Sequence, residues 1–197
     1  MRSTNHQLWR EIAKEGAVLE ECSSGSDRVL AIVGTSVLEG LLDEIIPRYL
    51  IADEAEQTVL LGQRGALAGF ANKVRLAYLL GMFSEAVFRD VLAIAKVRNH
   101  FAHDTAVASF EHVKVRTLCL GLKSPLAFSR IQSDEDWGLV EWSMDTVAGE
   151  KKFGLTLAFK QDEIRPSDPR WQFETSVQFV AFLLSGLPTQ RPRQPRY

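Results

Sequence analysis

Apolar residues recur at three- and four-residue steps over much of the first half of the chain, which is the spacing of amphipathic helices. The clearest run extends from Arg28 to about Leu50, where Pro47 marks a kink or the final turn. Its apolar positions are Leu30, Val33, Val37, Leu38, Leu41, Leu42, Ile45 and Ile46. This stripe is wide enough to face a core on one side and a partner on the other, so we expect a symmetric homodimer.

Four further segments of this half have the same helical spacing. We predict helices over residues 4–21, 54–61, 66–80 and 85–103. Gly62 and Gly81 suit the ends of the second and third, and Ser84 suits the N-cap of the fourth. The core-facing positions of the fourth helix are Val87, Phe88, Val91, Ile94, Ala95 and Phe101. Short connections between successive helices imply antiparallel neighbours in a bundle.

The pattern changes after His103. Residues 110–122 fit a short helix, whereas Trp137–Met144 and Phe153–Phe159 alternate apolar with polar or small residues, which predicts a β-hairpin. The loop Ala148–Lys151 of this hairpin is expected to be exposed. Asp168 and Pro169 then open a last helix over residues 170–184.

These elements predict a mainly all-α fold, a helical bundle with a small β-hairpin elaboration near the C-terminal third. Residues 1–187 are expected to form a single helical domain, with the hairpin at 137–160 as an appendage. Residues 188–197 contain three arginines and no acid, and they are expected to form a disordered basic tail.

Composition narrows the class of protein. The chain has 197 residues, of which 46% are hydrophobic and 24% charged, as in globular domains. A net charge of −2 gives no overall field for nucleic acid. Cys22 and Cys119 lie in different segments, so we expect free or buried thiols and a reducing, cytoplasmic location. No stretch approaches the roughly 20 apolar residues of a membrane span, so no membrane association is expected.

The run from Arg28 to His103 resembles the mannitol operon repressor family of bacterial proteins. The residues that carry the resemblance are Val33–Tyr49, Gly65–Leu67, Lys73–Gly81 and Val97–His103. Residues 109–122 and the last helix look similar too, so the resemblance covers roughly three-fifths of the chain, and the hairpin departs from it. The resemblance implies an all-helical core and a regulatory function.

Residues 98–103, with the sequence RNHFAH, are also similar to the R-x(4–6)-H signature of HEPN (higher eukaryote and prokaryote nucleotide-binding) domains. In those helical dimers a polar residue, often Asn, follows the Arg, as Asn99 does here. Active members are metal-independent ribonucleases, frequently toxins or antiviral effectors. The resemblance therefore makes Arg98, Asn99 and His103 candidate catalytic residues.

The chemistry of these residue types agrees with that assignment. Cleavage of RNA by its own 2′-hydroxyl needs a proton acceptor near neutral pH and a cation for the phosphate, which His103 and Arg98 supply. Asn99 and His103 share a helical face, but Arg98 and His103 are separated by about 140° on an ideal helix. A symmetric dimer could line one cleft with Arg98 and His103 of two chains. In the alternative interpretation these residues cap the last helical turn and bond to its carbonyls.

Other polar clusters favour simpler interpretations. His100 and His103 have no identifiable further ligands, so neither a metal nor another cofactor is implied. Glu39, Asp43 and Glu44 are typical of a solvated helix face. Lys73, Arg75, Arg64, Arg89, Lys96 and Arg98 could form a cationic surface, but isolated surface bases are the preferred interpretation. Trp137, Trp142 and Trp171 are expected to pack the hairpin against the last helix.

Three hypotheses for function follow. The first is a regulatory or interaction protein that acts as a helical dimer on another protein or on RNA. The second is a HEPN-type metal-independent ribonuclease that uses Arg98, Asn99 and His103. The third is a catalytically inactive, HEPN-like accessory protein. No recognition helix with several base-reading side chains is visible, so direct helix-turn-helix DNA binding is not expected.

Overall fold

The computed structural model describes residues 18, 21, 22, 24–62, 64–123 and 167–185 in full, and the backbone of 129–134, 137–145 and 152–160. Its helices, in chain order, are α1 (Asp27–Tyr49), α2 (Glu54–Leu61), α3 (Phe70–Leu79), α4 (Glu85–His103), α5 (Val113–Leu120) and α6 (Pro169–Ser185). The described part of the chain is therefore mainly helical, which confirms the fold class that the hydrophobic spacing predicts.

Local chemistry explains most helix ends. The hydroxyls of Ser26 and Ser84 accept hydrogen bonds from the third residue beyond them, at 3.3 and 3.4 Å, and start α1 and α4. A carboxylate oxygen of Asp168 accepts from the backbone N–H groups of Arg170 and Trp171 and caps α6. The bounds of α2 and α4 are those the sequence predicts.

Helix α3 begins at Phe70, not at Ala66 as predicted. The backbone N–H of Leu67 donates to the carbonyl of Leu60 at 2.9 Å, so the chain folds back on the end of α2 first. A Cβ on Gly65 would lie 2.2 Å from that same carbonyl oxygen. The close approach requires glycine and excludes a helical path through these residues.

The end of α3 agrees with the predicted role of Gly81. This residue has φ +79°, in the left-handed region that favours glycine. The N–H of Met82 donates to the carbonyl of Ala77 at 3.0 Å, and that of Gly81 to Tyr78 at 2.9 Å. These two bonds form a Schellman motif, which satisfies carbonyls that a helix end leaves without partners.

Helix α1 lies at the centre of the helical core and packs against α6, α4 and α3. Its buried apolar side chains are Leu30, Ala31, Leu38, Leu41, Leu42, Ile45 and Ile46. Val33 and Val37 are half-buried and pack against the same core. The wide stripe of α1 is thus largely covered within one chain, so its width does not by itself require a second copy.

An aromatic cluster joins the end of α4, the loop before α5 and the start of α6. The ring of Phe110 lies 5.0 Å from those of Phe101 and Phe173, centroid to centroid. Phe110 was predicted to begin a helix, but its backbone N–H binds the Asp27 carboxylate and α5 starts three residues later.

Five of the six predicted core positions of α4 are buried, whereas Phe88 is half-buried and stacks on Tyr78 at 4.4 Å.

The backbone between α5 and α6 includes three antiparallel strands, β1 (Ser129–Asp134), β2 (Trp137–Asp145) and β3 (Lys152–Lys160), in the order β1-β2-β3. Val140 lies opposite Ile131 on one side and Leu157 on the other. The described residues do not include those strands' side chains, so the role of this segment as an elaboration of the helical domain stays a prediction.

Several predicted features lie outside the described residues. They are most of the helix over 4–21, the loop Ala148–Lys151, the tail 188–197 and the side chains of Trp137 and Trp142. Trp171 is half-buried in α6. Within the part of the chain that the structure describes, no helix is long and apolar enough to span a membrane.

Candidate functional site

The three candidate catalytic residues lie in the last turns of α4. Arg98 is half-buried, whereas Asn99 and His103 are exposed. Arg98 follows Ile94 and precedes Phe101 at four- and three-residue steps, so it lies on the core-facing side of the helix. Asn99 and His103 lie on the solvent side.

The contacts follow this division. Nη1 of Arg98 donates a hydrogen bond to Oδ1 of Asn99 at 3.1 Å. Among the described residues, no hydrogen bond joins His103 to Asn99 or to Arg98. A single chain thus joins Arg98 to Asn99 by a hydrogen bond, while His103 lies one turn beyond Asn99 on the same exposed side.

The end of α4 is held by a residue from another helix. Arg28, in the first turn of α1, donates from Nη1 to the carbonyl oxygen of Phe101 and from Nη2 to that of Val107 at 2.8 Å. Phe101 is one of the last four residues of the helix, whose carbonyls have no partner within it. A cation is also favourable at this negative end of the helix dipole. Among the described residues, Arg28 thus binds a carbonyl at this helix end, while His100 and His103 lie in the last turn as the alternative interpretation expects.

Asp27, next to Arg28, joins the start of α1 to two further segments of the chain. Its carboxylate accepts from the backbone N–H of Phe110 at 2.9 Å and forms an ion pair with the Arg170 guanidinium. Nη2 of Arg170 also donates to the carbonyl of Gly25 at 2.9 Å. We call Asp27, Arg28 and Arg170 the polar junction, because they join the start of α1 to the end of α4 and the start of α6.

Sequence reasoning did not identify the polar junction. The predicted first strong helix began at Arg28, one residue after Asp27, and Arg170 was predicted to begin the last helix. The two residues are 143 positions apart, and no spacing rule links charges at that separation. An adjacent Asp-Arg pair at the start of the longest helix is the one signal that the sequence contains.

The segment after α4 contains a second charged contact. Nζ of Lys114 lies 2.7 Å from Oδ2 of Asp104, and Oδ1 of Asp104 accepts from the backbone N–H of Ala106 at 3.0 Å. The hydrogen bond from Lys114, followed by that from Ala106, lowers the pKa of the Asp104 carboxyl. This pairing orders the turn that follows the candidate residues.

The structure corrects two interpretations of charged residues. Lys73 is 5% exposed, and its Nζ lies 3.0 Å from Glu39 Oε1 and 2.7 Å from Asp43 Oδ1. Glu39 and Asp43 are therefore ion-pair partners that link α1 to α3, not a merely solvated face. Lys73 cannot contribute to a cationic surface. Burial alone would lower the pKa of Lys73, but its bonds to Asp43 and Glu39 raise that pKa overall.

The other proposed surface cations differ in their partners: Arg89 pairs with a carboxylate, whereas Arg75 binds a neutral amide. Nη2 of Arg89 lies 2.5 Å from Glu85 Oε1, and Nη1 of Arg75 donates to Asn72 Oδ1 at 3.2 Å. Arg64 and Lys96 are exposed. This arrangement agrees better with separate surface bases than with a continuous site for phosphates.

Both cysteines are free and buried, as predicted. Burial raises the pKa of the Cys119 thiol to about 12 and also raises that of Cys22. The described residues contain no group of three or more His, Cys, Asp or Glu side chains placed to hold a metal ion.

Comparisons with known proteins identify a similar fold. No protein-family model matches this chain, and no curated protein matches it. A chain in the X-ray structure of the MtlR-HPr complex from Escherichia coli is similar, with a TM-score of 0.58 and 16% sequence identity. The match covers 88% of this chain and 99% of that chain. At this identity the likeness shows the fold alone, and it agrees with the helical fold that the resemblance to mannitol operon repressors implies.

Proposed function

We propose that this protein is a regulatory or interaction protein of the mannitol-repressor-like type, which acts as a helical dimer by binding another protein. The observation that carries the proposal is the shared fold, since the similar chain was solved in a complex with HPr and is matched over 99% of its length. The angle of about 140° between Arg98 and His103 on an ideal helix supports a binding function further, because one chain presents the two residues imperfectly on the same spot.

Titration with purified HPr from Escherichia coli tests this proposal. Isothermal titration calorimetry should show saturable binding with a Kd of about 10 μM or tighter, a range typical of specific regulatory contacts. A small acidic protein of unrelated fold is the control for non-specific association. If HPr at a concentration of about ten times that Kd gives no saturable heat, the proposal is contradicted.

The second candidate function is a metal-independent ribonuclease. The observation that favours it is the exposure of Asn99 and His103 at the end of α4, where Arg28 binds the carbonyl of Phe101. In this mechanism His103 accepts the proton of the RNA 2′-hydroxyl as its oxygen bonds to phosphorus. The bond to the 5′-oxygen breaks, that oxygen takes up a proton from water, His103 returns its proton to the solvent, and a 2′,3′-cyclic phosphate remains. Arg98 stabilises the charge on the phosphate.

Cleavage assays with chelator present separate this candidate from the first. The wild-type protein should cut single-stranded or transfer RNA, and His103→Ala and Arg98→Ala should each lose most of the rate. Asn99→Ala should have a milder effect, because Asn99 positions a neighbour instead of transferring a proton. Circular dichroism must show that the variants remain folded. Intact RNA with the wild-type protein would exclude a ribonuclease for those substrates and favour the inactive, HEPN-like accessory protein.

The domain organisation is part of the proposal. We propose a single helical domain over residues 1–187, with residues 137–160 as a hairpin elaboration and 188–197 as a basic tail. Limited proteolysis should cut first at Ala148–Lys151 and in the tail, because exposed loop tips are preferred sites of cleavage. Early cleavage within α1 or α4 instead would contradict this division.

A further inference from the structure

Helix α5 begins at a histidine. The backbone of His112 is extended, as in an N-cap residue, and its carbonyl oxygen accepts from the N–H of Arg116 at 2.9 Å. Its imidazole Nδ1 accepts a hydrogen bond from the backbone N–H of Lys114 at 3.3 Å. The first N–H groups of a helix have no partner within it, and a cap residue supplies an acceptor for one of them. His112 therefore does for α5 what Ser26 and Ser84 do for α1 and α4.

An imidazole differs from a serine hydroxyl because it can accept this bond in one charge state only. In neutral histidine one ring nitrogen carries a proton and the other accepts, whereas in the imidazolium both nitrogens are donors. The bond from Lys114 thus requires a neutral His112 with its proton on Nε2. Protonation of Nδ1 would remove the acceptor and would place a positive charge at the positive end of the helix dipole.

Two carboxylates near the start of α5 could attract an imidazolium, but both are already paired with cations of α5. Nζ of Lys114 lies 2.7 Å from Oδ2 of Asp104, and the guanidinium of Arg116 forms an ion pair with Glu111. The two cations repel an imidazolium while the two carboxylates attract it. Both pairs are exposed enough for solvent to screen them, so their combined effect on His112 is small.

Asp104 is the carboxylate that acts on His112 from another element. The hydrogen bond from Lys114 is the main cause of the lowered pKa of the Asp104 carboxyl, and the charge of His112 adds a smaller effect. The two side chains are therefore close enough to interact. Asp104 is partly exposed and already bonded to an ammonium, so its attraction is weaker than the loss of the cap and the repulsion by the helix dipole.

The other charged groups on the helices that pack against α5 do not reverse this balance. Helix α6 contains Arg170, which pairs with an aspartate of α1, and Glu174, which accepts a hydrogen bond from a glutamine side chain. The last turn of α4 contains His100 and His103. A positive charge on either histidine adds to the repulsion of an imidazolium at the start of α5.

We propose that His112 is a pH-sensitive cap, which holds the start of α5 when it is neutral and releases it when it is protonated. Lys114, whose N–H loses its acceptor on release, is also the residue whose ammonium binds Asp104. Asp104 follows His103 directly, so the turn between α4 and α5 loosens beside the candidate site. The inference concerns the fold around that site and does not depend on which proposed function holds.

The sign of the pH dependence follows from proton binding. The folded state keeps the cap only while Nδ1 of His112 is unprotonated, so the unfolded chain takes up that proton more readily. Stability therefore rises with pH wherever this difference in bound protons exists. Imidazoles change charge between about pH 5 and pH 8, which sets the range to be measured.

Urea denaturation at about pH 5 and about pH 8 compares the wild type with His112→Asn and His112→Ala. Asparagine is a good N-cap that does not titrate, whereas alanine supplies no cap. At the higher pH the folding equilibrium constant of the wild type should match that of His112→Asn and exceed that of His112→Ala about fivefold. At the lower pH it should fall about fivefold below His112→Asn and match His112→Ala.

Hydrogen exchange tests whether the change lies at the start of α5. The protection factor of the Lys114 amide should fall at least about fivefold from the higher to the lower pH in the wild type, and less than about twofold in His112→Asn. His103→Asn is the matched control, since a positive charge is favourable at the end of α4. In acid the wild type should not lose stability relative to this control.

The outcomes decide the inference in each case. A ratio of wild type to His112→Asn that stays constant over this pH range would overturn the pH-sensitive cap. A ratio that rises in acid would show that attraction by Asp104 and Glu111 outweighs the cap, which overturns it as well. If His112→Asn does not fold, Lys114 protection in the wild type decides, and protection that does not fall in acid would refute the proposal.

Discussion

At the scale of single residues, Arg28 connects the candidate site to the core. Its guanidinium binds two carbonyls, those of Phe101 and Val107, from a position in the first turn of α1. Arginine suits this role because its planar donors can reach two acceptors at once and its charge is permanent. The end of α4 that carries Asn99 and His103 is thus held by a residue 73 positions before Phe101 in the chain.

Replacement of Arg28 by Ala should destabilise the protein by about 1.5–3 kcal/mol, because hydrogen bonds from a charged donor to two partly buried carbonyls are lost. Arg75→Ala is the matched control, since Arg75 is exposed and donates to the exposed Asn72. That control should change the free energy of unfolding by less than about 0.5 kcal/mol. Urea denaturation measures both, and an equal loss for the two variants would refute the capping role of Arg28.

Two glycines should respond in opposite directions to the same substitution. Gly81→Ala should destabilise by about 1 kcal/mol, because a Cβ is disfavoured at its positive φ. Gly40→Ala should stabilise by about 0.5–1 kcal/mol, since Gly40 is exposed within α1 and a Cβ there would meet nothing within 4 Å. Thermal unfolding of both variants checks the pair, and a change of the same sign for both would contradict these backbone assignments.

At the scale of elements, hydrophobic spacing and capping residues were sufficient to predict most helices. The end of α2 and the start of α4 are set by local contacts. The backbone N–H of Gly62 donates to the carbonyl of Thr58, and the side chain of Ser84 accepts from the N–H of Val87. The start of α3 depends on the fold-back of Leu67 onto Leu60, seven residues earlier, and the start of α5 on the bond from Phe110 to Asp27, 83 residues earlier. Such contacts leave no periodic trace in a single sequence.

The Lys73 ion pairs join two elements, α1 and α3. Lys73→Met should destabilise the protein by about 1–3 kcal/mol at neutral pH, because the carboxylates of Glu39 and Asp43 lose their cation and repel each other. The pKa of Lys73 is raised in the folded state by its bonds to Asp43 and Glu39, which outweigh burial. Its contribution is therefore complete below an unfolded pKa of about 10.4 and is lost as pH rises through the higher folded pKa.

Urea denaturation at pH 7 and again above about pH 10.5 measures this effect, and the difference between wild type and Lys73→Met should narrow at the higher pH. Arg89→Met is the matched control, because the ion pair of Arg89 with Glu85 is exposed. Its effect should stay within about 0.5 kcal/mol. A Lys73 variant as stable as this control would mean that the ion pairs contribute nothing to the packing of α1 on α3.

At the scale of the whole molecule, the sequence predicted the class of fold but not how the candidate site is assembled. The helical spacing of about 100° per residue already indicated that Arg98 and His103 diverge, and the structure agrees, with Arg98 half-buried and His103 exposed. The predicted basis for a dimer was the width of the α1 stripe, which the structure shows packed against three other helices. The proposed dimer would therefore need a surface that hydrophobic spacing did not identify.

One prediction of the ribonuclease candidate concerns a site shared between the two chains of a dimer. If Arg98 of one chain and His103 of the other form each site, a mixture of the Arg98→Ala and His103→Ala proteins should regain activity that neither has alone. After random exchange half of the dimers are mixed, and each mixed dimer has one of its two sites intact, so about a quarter of the wild-type rate should return. Light scattering supplies the control, with a mass of about 44 kDa for two chains of 22.1 kDa each. Mixed dimers that form and remain inactive would exclude a site shared between chains.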